Sequence, residues 1–131
     1  MQIKAKYVIS ILMALVVMIC TATAVSAEPR YTDTNSVSVT LTFSGTTAYC
    51  DATVTGADGT TSITDGHLVL TDSSGTVVAE RKDLSSNGKK LTVSMTVSGL
   101  TKGETYTLTF SAKVNRNGRS ENVGNDVSKK C

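Results

Sequence analysis

The residues in this chain that could do chemistry are few. They are a single histidine, His67, three cysteines at Cys20, Cys50 and Cys131, and the aspartates Asp58, Asp65 and Asp72. A hydrolytic triad needs a base held beside a nucleophile, and His67, between Gly66 and Leu68 on a strand-like stretch, reads as an outward, solvated imidazole with no such partner. A zinc site needs several Cys or His at ligand spacing, which two or three scattered cysteines do not supply. The aspartates lack the odd-position rhythm and the terminal Glu of a calcium loop. No glycine motif follows a strand and opens a helix, so there is no phosphate cradle. The residues predict no catalytic set, no metal site and no cofactor, and the chain is read as a non-enzyme.

The first 27 residues bear on the rest of the count. Lys4 and Lys6 precede an apolar run from Tyr7 to Cys20, which gives way to small residues ending Val25-Ser26-Ala27. That is the pattern of a secretory signal helix cleaved after Ala27; the run is shorter than the roughly 18 residues of a spanning helix, and no basic stop-transfer flank follows it. The expectation is a secreted, extracellular protein with no stable membrane insertion after cleavage; the alternative is an uncleaved anchor. Ile19 before Cys20 is too bulky for lipoprotein processing. Cleavage leaves roughly 100 residues, the size of one sandwich domain. It also takes Lys4 and Lys6 from the thirteen basic residues, leaving eleven against eleven acidic ones, so the precursor's net charge of +2 gives no support to nucleic-acid binding.

Cysteine arithmetic changes likewise. With Cys20 gone, Cys50 and Cys131 form an even pair in an oxidising compartment, and a disulfide is expected. Closing a loop of about 80 residues would stabilise the domain by roughly 4 to 5 kcal/mol in the chain-entropy picture. The alternative keeps Cys50 as a buried thiol and leaves Cys131 to link to another molecule.

The elements that would position these residues are strands. After a short polar lead over 28–35, Val37, Val39, Leu41 and Phe43 alternate with polar residues, as do Ala48, Cys50, Ala52 and Val54 beyond a Ser44-Gly45-Thr46 turn. The segment 56–64, rich in Gly, Asp, Thr and Ser, reads as a loop before a buried face at Leu68 and Leu70. Asp72-Ser73-Ser74-Gly75 and Asn87-Gly88 read as turns, and Leu91, Val93, Met95 and Val97 alternate again. Thr107 to Val114 alternates as the next strand, Asn115 to Arg119 turns, and Val123, Val127 and Cys131 mark a weaker last strand. No sustained helical period lies beyond residue 27, so the chain over 36–131 is predicted all-β, a sandwich of about seven antiparallel strands. Its many outward Thr and Ser residues are those of a solvated sheet face.

Between the fifth and sixth strands stands Ser98-Gly99-Leu100-Thr101-Lys102-Gly103-Glu104-Thr105-Tyr106. Leu100, Gly103 and Tyr106 stand as in a tyrosine corner, where the hydroxyl returns to the backbone a few residues upstream. Through this motif the stretch 91–118 resembles fibronectin type III domains, although the chain has no Trp and a single Pro. The whole precursor resembles small secreted one-domain proteins of Gram-positive bacteria whose function is unknown. The resemblance implies an immunoglobulin/fibronectin type III-like sandwich outside the cell and supplies no mechanism.

In such a sandwich, Cys50 and Cys131 should share one pole and the loops bearing Asp58, Asp65, Arg116 and Arg119 the other. Those four charges are the candidate ligand-binding residues, since loops at one end of a rigid scaffold commonly bind. The alternative is that they pair with one another or are simply solvated. Asn117-Gly118-Arg119 also resembles a short cell-adhesion tripeptide. The sequence predicts a small, monomeric binding or adhesion module for an extracellular protein or glycan, or else a structural subunit of an extracellular polymer.

Overall fold

A computed structural model describes residues 31–131. Seven strands follow one another: β1 (Thr34–Ser44), β2 (Thr47–Gly56), β3 (Thr60–Thr71), β4 (Val77–Ser86), β5 (Lys90–Val97), β6 (Thr105–Arg116) and β7 (Arg119–Lys130). All pairings are antiparallel and form two sheets, β1-β2-β5 and β4-β3-β6-β7. The molecule is an all-β sandwich, and its strand order is compatible with the fibronectin type III resemblance. The expected signal helix and its cleavage site after Ala27 lie outside the described residues.

Alternation of side chains builds the core. Val37 and Leu41 of β1, Cys50, Ala52 and Val54 of β2, and Leu91 and Val93 of β5 face inward from one sheet. Ile63, Leu68 and Leu70 of β3, Leu108, Phe110 and Val114 of β6, and Val123 of β7 meet them from the other. Fully burying one such aliphatic or aromatic side chain is worth about 1.5–3 kcal/mol, so interdigitation of the two inner faces carries the stability.

Two boundaries depart from the sequence reading. The stretch 56–64 is not one loop: only Ala57, Asp58 and Gly59 connect β2 to β3, and Ile63 is fully buried. The inward positions of β3 run Ile63, Gly66, Leu68, Leu70, a step of three followed by steps of two. The pairing registers of β3 with both β4 and β6 shift at this step. Asp65 is the inserted residue, with φ of 54°, and Asp83 on β4 has a matching φ of 56°. Asp tolerates this left-handed conformation better than most residues, and such bulges bend and twist a strand. The close approach also fixes Gly66, where a Cβ would lie 2.8 Å from both the Cβ and the carbonyl oxygen of Leu84. The last strand, expected to be weak, pairs with β6 without interruption from Arg119 to Lys130, and Cys131 lies just beyond it.

Candidate functional site

At the pole where β2 meets β3 and β6 meets β7, three of the four predicted charges are used by the fold itself. Asp33, just before β1, is 5% exposed. Its Oδ1 accepts from Arg116 Nη1 at 2.8 Å and from Arg119 Nη2 at 3.1 Å. Arg116 Nε also donates to the Asp58 carbonyl oxygen at 2.7 Å. The Asp58 carboxylate turns to Lys89 Nζ at 3.0 Å, and that bond, with the ammonium charge, holds its carboxyl below the usual range. Glu121 completes the clamp, because its carboxylate accepts from Thr32 N, Asp33 N and Thr34 Oγ1. Desolvating an aspartate is expensive unless charged donors surround it, and two guanidiniums on one oxygen meet that cost.

The structure therefore brings Asp58, Arg116 and Arg119 together and leaves Asp65 out. Asp65 sits in the bulge of β3, where its carboxylate is 3.5 Å from Lys113 Nζ at the rim of an open depression shared with Asn122 and Val123. Sequence reasoning missed Asp33 and Glu121, which lie in the polar lead and on the last strand. The available signal was an acid immediately before a strand whose partner hairpin carries two arginines.

The other pole holds the tyrosine corner. Tyr106 is 4% exposed, and its hydroxyl accepts from the Thr101 N–H at 2.9 Å. Leu100 is buried beside it, and Gly103 turns the chain at φ of 88°. The Gly103 N–H donates to the carbonyl oxygen of Cys131, whose own N–H donates to the Glu104 oxygen, so the corner also pins the chain after β7. Phe43 packs on the Tyr106 ring at a centroid distance of 6.0 Å.

The expected Cys50–Cys131 disulfide is not formed, and both thiols are free. The two cysteines do lie toward one pole, but at different levels. Cys131 Sγ reaches the Gly45 carbonyl oxygen at 3.5 Å, at the β1–β2 turn. Cys50 lies three residues along β2 from Thr47, the first residue after that turn, roughly 10 Å of strand. A bridge requires Cα atoms about 4.4–6.8 Å apart. Cys50 is instead a core residue, 1% exposed, and burial, with Asp51 alongside, pushes its thiol up to about 11.

His67 faces outward as expected, with Nε2 2.9 Å from Glu80 Oε2. This bond, and Lys82 on the same carboxylate, hold the Glu80 carboxyl below its ordinary range. Asp72 orders its own turn by accepting from Ser74 Oγ, Ser74 N and Thr76 N. Among the described residues, no three His, Cys, Asp or Glu side chains converge as a metal site would require.

Among the described residues, the exposed large hydrophobic ones are Tyr49, 45% exposed on β2, and Val77 and Val78, 52% and 38% exposed at the start of β4. They lie on different sheets. No protein-family model matches the chain, and a search of curated proteins finds no match to it.

Proposed function

We propose that this chain is a small extracellular binding or adhesion module on an immunoglobulin/fibronectin type III-like sandwich, related to the small secreted proteins of Gram-positive bacteria that it resembles. Export rests on the sequence of 1–27. The observation that carries the binding reading is Tyr49, a large aromatic side chain left 45% exposed in the middle strand of a sheet whose inner face packs against the core. An aromatic ring with a polar tip, held on a rigid strand, is a common anchor for recognition.

The charged pole supports this reading less than the sequence suggested. Arg116 and Arg119 both donate to Asp33, though Arg119 keeps 61% of its side chain exposed. The exposed Tyr49 ring therefore supports a contact surface on the sheet more than one on the loops.

A second reading, an assembly subunit, is favoured by Val77 and Val78. They lie where the edge strand β4 begins, ahead of its charged run Glu80-Arg81-Lys82-Asp83. An exposed apolar edge is a template for strand addition, whereas charges and bulges blunt one.

Sedimentation velocity across a wide concentration range, combined with pelting of the protein alongside insoluble Gram-positive cell walls, tests the two. A monomer that binds walls saturably supports the module. Concentration-dependent growth into polymers, or a monomer that never pellets with walls, overturns it.

A further inference from the structure

The registers of β1, β2 and β5 align their outward side chains in rows across the sheet. Thr42, Tyr49 and Thr96 form one row, and Thr40, Asp51 and Ser94 the next. The two rows beyond are made of Ser and Thr apart from Lys90. Rows on one face are two residues apart, about 7 Å, and neighbours within a row are about 4.8 Å apart. The result is an open lattice of hydroxyl groups with one aromatic ring and one carboxylate on its middle strand, toward one end, and one lysine at the other end.

Resting on the binding-module reading, we propose that this face docks an uncharged polysaccharide, with Tyr49 stacking on the C–H face of a sugar ring and Asp51 accepting from its hydroxyls. Asp51 is set for that role. Ser94 Oγ donates to its Oδ1 at 2.7 Å, which fixes the carboxylate and leaves the second oxygen as an acceptor. Thr side chains are stiff at χ1, so hydroxyls on adjacent strands are held in place before a ligand arrives.

Charge complementarity selects the occupant. Across the four rows the charged residues are Asp51 and Lys90, of opposite sign, so the face offers a polyanion such as a nucleic acid no basic track. A protein partner would need a cluster of apolar anchors, and Tyr49 is the only large hydrophobic side chain exposed on this sheet among the described residues. Pairing along the β5 edge is obstructed as well, because Arg81 Nη1 donates to the Ser94 carbonyl oxygen at 2.9 Å. An extended chain of sugars has the matching properties: flat C–H faces, hydroxyl edges and no net charge.

Native gels cast with hydroxyethylcellulose, dextran, galactomannan or dextran sulfate provide the test, read as retardation of the purified exported protein. The expected result is retardation by at least one of the three uncharged polymers. Tyr49→Ala should weaken it at least tenfold and Asp51→Asn severalfold, while Tyr49→Phe keeps most of it and Thr109→Ala, on the opposite sheet, changes nothing. Thermal melts of each variant establish that the fold is retained; should Tyr49→Ala fail to fold, Asp51→Asn carries the test. Retardation that persists in both Tyr49→Ala and Asp51→Asn, or that occurs with dextran sulfate alone, overturns the platform. So does retardation by none of the polymers. If the protein still pellets with cell walls in that case, the module stands and only this face is wrong; if it does not, both readings fall.

Discussion

Tyr106 and Tyr49 carry the same hydroxyl into opposite surroundings. The Tyr106 oxygen is the acceptor for a part-buried backbone N–H, so Tyr106→Phe should cost about 1 to 2 kcal/mol in urea unfolding, whereas Tyr49→Phe should change stability by a few tenths at most. Equal losses at the two sites would mean that the corner bond contributes nothing. The thiols give a second contrast. A thiol reagent should label Cys131 in the native protein and reach Cys50 only after unfolding. The folded state holds the Cys50 proton up to about 11 against 9.0 for an ordinary thiol. Its contribution to stability is therefore full below pH 9 and lost as pH rises through about 11. Wild type should lose stability over that window relative to Cys50→Ala, as the difference between their melting temperatures. The corner was legible in the sequence because Leu, Gly and Tyr stand at fixed spacing within a turn. The cysteines were not, because shared polarity of two strand ends says nothing about depth along the strand.

Between elements, the Asp33 clamp ties the start of β1 to the β6–β7 hairpin and should behave as an internal joint. Arg116 has 26% of its side chain exposed and two partners, while Arg119 is 61% exposed and has one. Arg116→Ala should lower stability by about 2 to 3 kcal/mol and Arg119→Ala by 1 kcal/mol or less, because truncating a partner of a buried charge leaves that charge uncompensated. A double-mutant cycle with Asp33→Asn should show coupling for Arg116 that persists in high salt. The bulge makes a separate prediction: Gly66→Ala should cost about 1 to 3 kcal/mol, since the added methyl meets the Leu84 backbone as well as its side chain. Urea midpoints check both. Most strands were legible from period-2 alternation, as in Leu91, Val93, Met95 and Val97. Alternation could not carry across Asp65, because one inserted residue changes which face every earlier side chain meets, and Asp-Gly next to a polar stretch has the composition of a loop.

For the whole molecule, the two-sheet architecture followed from the number and spacing of alternating runs, whereas the face that carries Tyr49 came from register, which no single strand reveals. Four rows rich in hydroxyls look like ordinary solvated residues until pairing sets them side by side. The same topology has a consequence for timing. Glu121 accepts from residues 87 to 89 positions earlier in the chain, and Asp33 waits for arginines 83 and 86 positions away. A chain delivered N-terminus first thus cannot fasten residues 32–34 until the β6–β7 hairpin has arrived. Until then Asp33 remains hydrated and β1 has only its hairpin partner β2, without the β6 and β7 strands that it meets across the sandwich. A chain that stops short of the β6–β7 hairpin therefore leaves the start of β1 unfastened as well as its own end.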